Sequence, residues 1–193
     1  MLSKIPDSDV VWAPVFHLHQ PTYDEGTRKY YFQCVYSSYM PHLDAIERHP
    51  NVKVNLNISG VLLEQMKKYN PEMIDRIRDG IERGQIYLTA TPYSHAIMPL
   101  MADRYGDDAL RLQIEKDLQL KRKWFGVEPR TFRPAEYAVN EDVVRVASEY
   151  FDYMLISGVT FGKANLDGSR AVQKGRIKLI CRDDGLSNLL AGM

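Results

Sequence analysis

The chain has 193 residues, a formal net charge of zero from 25 basic and 25 acidic side chains, and 45% hydrophobic residues. This length can bury a substantial core, and the apolar content is typical of a globular protein rather than a disordered one. The balanced charge gives no electrostatic reason to expect binding to nucleic acid or to an anionic membrane. No apolar run approaches the length that a bilayer-spanning helix needs, so we expect no membrane association.

The two cysteines, Cys34 and Cys181, are far apart and form no motif. We expect both to be reduced packing residues, as in most cytoplasmic proteins. The polar N-terminal segment lacks the apolar stretch of a signal peptide. These features predict a cytoplasmic protein, and the length predicts a single domain over residues 1–193.

The first half of the chain alternates predicted strands and helices. An apolar run over residues 10–16 predicts a buried strand, followed by a polar loop over residues 22–26. Residues 29–48 have helical spacing, with Pro41 breaking or starting a helix. Clean alternation then predicts a strand, followed by two helices joined at Asn70 and a third strand; these elements cover residues 52–58, 61–69, 71–83 and 85–89.

The second half continues the same order. A loop rich in proline and polar groups is predicted over residues 90–101, and the strongest helix signal follows over residues 107–125, with Gly126 as its terminator. Asn140 is a plausible N-cap for a later helix. The remaining predictions are strands over 130–133, 153–156 and 176–181, a helix over 141–150 and a loop over 165–170. Alternating strands and helices predict parallel strands with outer helices, as a barrel or an open sheet.

Polar side chains follow three of the predicted strands. The first strand ends in the segment His17–Pro21, the third leads to a loop with His95, and the fourth leads to Arg133 and Glu136. In an α/β barrel the C-terminal ends of the strands meet on one face and carry the catalytic side chains. The sequence therefore predicts a polar site at this face.

The pair His17 and His19 carries the first part of that prediction. Side chains alternate along a strand, so both imidazoles point to the same face. Two structural histidines or two metal ligands are the alternatives, since histidine serves all of these roles. No acidic residue or cysteine lies close by in sequence to complete a metal site, and we expect none.

Glu136 carries the second part of the prediction. It directly follows a strand and lies three residues after Arg133. A nearby guanidinium favours the ionised carboxylate, which suits a nucleophile. The alternative is an ordinary surface ion pair between these two residues.

Several segments, in order along nearly the whole chain, resemble motifs of glycoside hydrolase family 57. They are His17–Pro21, Gly84–Leu88 with Pro92–Leu100, Phe132–Val139, and Cys181–Asn188. The resemblance implies an incomplete (β/α)7 barrel and a retaining hydrolase or transglycosylase that acts on α-glucans without a cofactor. Three departures from the family pattern stand out: Arg133 stands where tryptophan is usual, Phe132 or Thr131 stands where a glycine often precedes it, and Tyr87 stands where an acidic residue is common.

The resemblance also implies roles for the matched residues. Glu136 would be the nucleophile, and sugar-binding roles would belong to His17, His19, Gln20, His95, Arg133 and Tyr137. The family's general acid/base is an aspartate downstream of the last motif, and neither Asp183 nor Asp184 matches it. We therefore expect a chain truncated at its C-terminus, with little turnover by itself and with association through an open barrel edge or with a missing C-terminal part.

Two other functions remain open at this point. A degenerate relative could bind sugar or a protein without catalysis, which the departures at Arg133 and Tyr87 would permit. A metal-dependent hydrolase similar to polysaccharide deacetylases would instead use His17, His19 and His95 as ligands.

Overall fold

The computed structural model describes residues 12–21, 25–166 and 168–191. The strands in these ranges are β1 (Val15–Leu18), β2 (Val54–Ile58), β3 (Ile86–Thr89), β4 (Thr131–Phe132), β5 (Tyr153–Ser157), β6 (Val172–Lys174) and β7 (Ile177–Arg182). The α-helices are α1 (Glu25–Cys34), α2 (Met40–Arg48), α3 (Gly60–Tyr69), α4 (Pro71–Glu82), α5 (Met98–Phe125), α6 (Glu141–Ala147), α7 (Gly158–Lys163) and α8 (Asp184–Ala191). A π-helical turn, Val35–Tyr39, joins α1 to α2, and a 3₁₀ turn, Ala135–Tyr137, follows β4.

The strands form two hydrogen-bonded groups, in the orders β1-β2-β3 and β4-β5-β7-β6. Every pairing is parallel except that of β6 with β7. The two groups meet where the Ala90 N–H donates to the Thr131 carbonyl and the Arg133 N–H donates to the Ala90 carbonyl, both at 2.8 Å. The parallel α/β arrangement is confirmed, and it brings the C-terminal ends of β1 to β4 to one edge.

Several predicted boundaries were wrong. The first strand begins at Val15 rather than at residue 10, although residues 10 and 11 lie outside the described ranges. Helix α5 begins at Met98, inside the predicted loop, and consists of two segments separated by the non-helical Gly106, whose φ is 71°; the second segment corresponds to the predicted helix over residues 107–125. The predicted loop over residues 22–26 falls mostly on residues that are not described, and α1 already begins at Glu25. The short elements α7, β6 and α8 were not predicted at all.

Apolar side chains pack in two clusters, one for each group of strands. The first lies between β1–β3 and helices α1–α4, around Ile58, Leu62 and Met66. The second lies around Phe132 and Leu110 and joins β4, β5 and β7 to helices α5–α7. Burying one such side chain contributes about 1.5–3 kcal/mol. These clusters hold the strands, and therefore the strand ends, in fixed positions.

Other general predictions are also addressed by the structure. Cys34 and Cys181 are both free thiols, as expected. None of the helices in the described ranges is both long and apolar enough to cross a membrane.

A close approach at Gly60 ties α3 to the loop that follows β3. A Cβ atom at this position would lie 2.4 Å from Cδ2 of Tyr93. We expect Gly60→Ala to lower the free energy of unfolding by about 1–3 kcal/mol, because the ring must move. Gly162→Ala in α7 is the control, since nothing lies within 4 Å of its new Cβ. Urea denaturation gives the free energy of unfolding of both variants. A Gly60→Ala variant as stable as Gly162→Ala would contradict the expectation.

Candidate active site

Three imidazole rings meet at the C-terminal ends of the strands. His17 lies on β1, His19 directly follows that strand, and His95 lies in the loop after β3. The ring centroid of His95 is 4.6 Å from that of His17 and 4.4 Å from that of His19, and the rings are nearly parallel. The predicted convergence of these three side chains is therefore present in the structure.

The buried side chain of Asn57, on β2, orients His17. Its Nδ2 donates to Oγ1 of Thr89 at 2.7 Å and to the Ala90 carbonyl at 3.3 Å. Its Oδ1 therefore faces Nδ1 of His17, at 2.8 Å. Because Oδ1 can only accept, Nδ1 of His17 carries a proton, and Nε2 of the neutral ring offers a lone pair.

Neighbouring side chains support His19 and Gln20. Nδ1 of His19 lies 2.8 Å from Oγ of Ser59, the residue after β2. The amide nitrogen of Gln20 donates to Sγ of Cys34 at 3.1 Å and to the Tyr39 hydroxyl at 3.2 Å. The side-chain amide of Gln20 therefore connects the end of β1 to the helical segment over residues 25–48. A sugar-binding role for Gln20 stays a prediction.

Burial keeps the three imidazoles uncharged. Burial lowers the pKa of each ring from 6.5 to about 4. Nearby groups account for part of this lowering: the charge of Arg133 contributes to the pKa shift of His17, His95 to that of His19 and His17 to that of His95, whereas Glu136 opposes the shifts of His19 and His95. At neutral pH the rings can therefore donate and accept hydrogen bonds as neutral groups.

These pKa shifts predict how stability depends on pH. Between pH 6.5 and about 4 the unfolded imidazoles bind protons while the folded ones do not, so the free energy of unfolding falls as the pH is lowered. Urea denaturation at pH 7 and about pH 5, with EDTA present, should show this loss. The loss should be smaller in His95→Gln. Imidazole proton resonances of His17, His19 and His95 in the folded chain that titrate at or above pH 6.5 would contradict the assignment.

Glu136 lies beside this cluster in a strained segment. Its Oε1 is 3.8 Å from Nε2 of His95, and its side chain is 68% exposed. His95, Glu136 and Tyr137 have φ values of 57°, 52° and 55°, in the left-handed region that non-glycine residues rarely adopt. Such strain tends to cluster at functional sites. The carboxylate is therefore held at the open side of the imidazole cluster.

Arg133 and Glu136 form no ion pair in the described residues, so the surface pair considered as the alternative was wrong. The buried guanidinium of Arg133 lies 4.3 Å from the centre of the Tyr137 ring and donates to Oδ1 of Asn57 at 3.4 Å. Arg182, at the end of β7, lies 5.5 Å from the same ring.

Comparison with known proteins identifies the family. The model of Glycosyl hydrolase family 57 matches residues 13–191. The chain belongs to this family. Its sequence is 28% identical over 152 residues to an α-amylase from Pyrococcus horikoshii, and 29% identical over 152 residues to a 4-α-glucanotransferase from Thermococcus kodakarensis. Each match covers 78% of this chain, but only 23% and 22% of the respective relatives.

A solved structure gives the same result for the fold. The crystal structure of 4-α-glucanotransferase from Thermococcus litoralis matches with a TM-score of 0.80 and 25% identity, over 92% of this chain and 28% of that chain. This family 57 chain therefore spans between a fifth and a quarter of the length of the curated relatives it matches.

Helix α5 holds a buried ion pair directly beneath the site. Nζ of Lys121 lies 2.5 Å from Oδ2 of Asp117 and donates to the carbonyl of Ile58 at 3.0 Å. The same Oδ2 accepts the N–H of Thr91 at 3.1 Å. The pair therefore connects the end of β2, which Ser59 directly follows, to the start of the loop that carries His95.

The aspartates of the last family 57 motif have structural contacts. Oδ1 of Asp183 accepts the N–H of Leu186 at the start of α8. Asp184 pairs with Arg182 at 2.5 Å and accepts the N–H of Val159 at 3.1 Å. Both carboxylates therefore stabilise the backbone around the start of α8 and α7.

Proposed function

We propose that this chain supplies the nucleophile and part of the sugar site of a retaining glycoside hydrolase or transglycosylase that acts on α-glucans. The observation that carries the proposal is the carboxylate of Glu136, exposed at the strand ends and 3.8 Å from His95 beside two further imidazoles. The family assignment supports it, as do relatives that are named α-amylase and 4-α-glucanotransferase.

Glu136 would act by double displacement. One carboxylate oxygen attacks the anomeric carbon as the bond to the leaving oxygen breaks, and that oxygen takes a proton from a second carboxyl group. The sugar is then held as an ester of Glu136. Water completes hydrolysis, or a sugar hydroxyl completes transfer, and the second carboxylate accepts the proton.

The neutral imidazoles would hold the sugar that carries the anomeric carbon. Nε2 of His17 presents a lone pair to a hydroxyl proton, because Nδ1 is occupied by Asn57. The ring centroids of His19 and His95 lie 6.4 Å and 4.6 Å from that of His17, so adjacent hydroxyls of one sugar can be bound together. Arg133 and Tyr137 would order the edge of the same site through their ring contact.

The second carboxyl group would come from outside the described residues. Retaining enzymes place it about 5–5.5 Å from the nucleophile, and Asp183 and Asp184 are engaged in the contacts described above. The proposal includes three further points. The chain forms part of a (β/α)7 barrel that is closed by additional strands, any association takes place through the edge strands, and the protein is cytoplasmic. The chain by itself should then leave maltooligosaccharides nearly uncut.

A substrate with a fluoride leaving group tests the function without the missing acid. Fluoride departs without protonation, so the chain should release it from α-maltosyl fluoride faster than buffer does, in a burst followed by slow turnover. β-Cellobiosyl fluoride has β-linkages in place of the α-linkages and is the matched control. In the presence of the chain it should release fluoride no faster than in buffer alone. Binding of maltotriose without any fluoride release would instead support a non-catalytic sugar-binding relative.

A further inference from the structure

We propose that His17, His95 and Glu136 also form a binding site for a divalent transition metal, with Zn²⁺ as the best-suited ion. One ligand atom from each of these residues lies within 4.8 Å of the other two. The metal would occupy the space that the sugar needs. Its inhibitory effect rests on the proposed function, whereas metal binding itself does not.

The ligand atoms are prepared for a metal by their surroundings. Asn57 holds the proton of His17 on Nδ1 and so leaves the lone pair of Nε2 for a ligand. Metal-binding histidines usually have this kind of support from an oxygen acceptor. Nε2 of His95 is buried and has no hydrogen-bond partner, with Oε1 of Glu136 at 3.8 Å. An unpartnered buried nitrogen facing a carboxylate is a position that a cation would satisfy.

The distances suit a small ion after a minor side-chain rotation. Zn²⁺ binds imidazole nitrogen and carboxylate oxygen at about 2.0–2.2 Å, which places tetrahedral ligands roughly 3.4 Å apart. The His95–Glu136 distance of 3.8 Å is close to that value. The Glu136 side chain is 68% exposed, so it has room to move toward the rings. Two nitrogens and one oxygen leave a fourth position for water, as in open zinc sites.

The sequence alone predicts no metal site, because no acidic residue lies close to His17 and His19 along the chain. The acidic partner comes from the end of β4 instead. The ligand set also differs from the three histidines considered above, since the carboxylate of Glu136 replaces His19. A metal on Glu136 holds the lone pair that would attack the anomeric carbon, so the metal and the glucan exclude one another.

Titration with Co²⁺ tests the site directly. The EDTA-treated chain, after removal of the chelator, should bind one Co²⁺ with visible absorption typical of four ligands, and Zn²⁺ should abolish the absorption. His17→Gln, His95→Gln and Glu136→Gln should each weaken binding by at least about tenfold. His49→Gln, at an exposed turn, is the matched control and should bind as the parent does.

A measurement on the unsubstituted chain covers the case in which a variant fails to fold. Zn²⁺ should shift the imidazole resonances of His17 and His95, and maltotriose should reverse the shift. Three results would overturn the site: no Co²⁺ binding by the parent chain, an affinity for Co²⁺ in all three variants equal to that of the parent, or Zn²⁺-induced shifts confined to His42 and His49. Zn²⁺ bound without competition from maltotriose would overturn mutual exclusion.

Fluoride release separates this inference from the proposed function. If Zn²⁺ binds but α-maltosyl fluoride is never cleaved, the proposed function fails and the metal site stands. If cleavage occurs and saturating Zn²⁺ leaves its rate unchanged, the inhibitory site is wrong while the proposed function stands.

Discussion

Glu136→Gln is expected to lower the rate of fluoride release from α-maltosyl fluoride by at least about 10³-fold. The amide has nearly the same shape as the carboxylate but cannot form the glycosyl ester, because its oxygen is a far weaker nucleophile. Initial rates measured with a fluoride electrode give the comparison.

Glu141→Gln is the matched control for this substitution. Glu141 lies five residues later, its side chain is 83% exposed, and it pairs with Lys174 rather than with the imidazole cluster. Its loss should leave the rate of release unchanged. Equal rates of fluoride release in Glu136→Gln and the parent would show that Glu136 is not the nucleophile.

Lys121→Met is expected to lower the free energy of unfolding by about 3–5 kcal/mol, because it leaves the carboxylate of Asp117 buried without its partner. Both side chains are fully buried and lie 2.5 Å apart. Burial raises the pKa of Asp117 and lowers that of Lys121, and each partner's charge opposes the other's shift. The contact is thus what allows both groups to remain inside the protein.

A double variant separates the pair from simple packing. Asp117→Leu combined with Lys121→Met should lose less stability than Lys121→Met alone, because no unpaired charge remains. Lys123→Met, at an exposed position of the same helix, should change stability by less than about 0.5 kcal/mol. Urea denaturation measures all three, and a double variant less stable than the single one would contradict the account.

The location of the site could be predicted from sequence because it depends on topology. Polar segments that end parallel strands must meet at one edge, and His17, His19, His95 and Glu136 do meet there. The contacts that orient them could not be predicted in this way. Asn57 lies within an alternating strand pattern that gives no sign of its four polar contacts.

Helical spacing likewise does not reveal that a pair of charged side chains is buried. Asp117 and Lys121 are four residues apart, which is the spacing of an ordinary exposed helix pair, yet both are fully buried. The first segment of α5, before Gly106, was missed because proline and polar residues suggest a loop, whereas Pro99 is at the helix N-terminus. The second segment, after the non-helical Gly106, is the helix that the sequence predicts. Sequence patterns show which residues share a face, but not which neighbours cover it.

The most direct test of the account is to locate the covalent intermediate. A 5-fluoro-α-glucosyl fluoride reacts through the same attack but yields an ester that breaks down slowly. The added fluorine destabilises both transition states, and the fluoride leaving group keeps only the first step fast. After proteolysis, mass spectrometry should find the sugar on the peptide that contains Glu136, attached to that residue. A sugar attached to Asp183, Asp184 or any other carboxylate would contradict the assignment of Glu136 as the nucleophile.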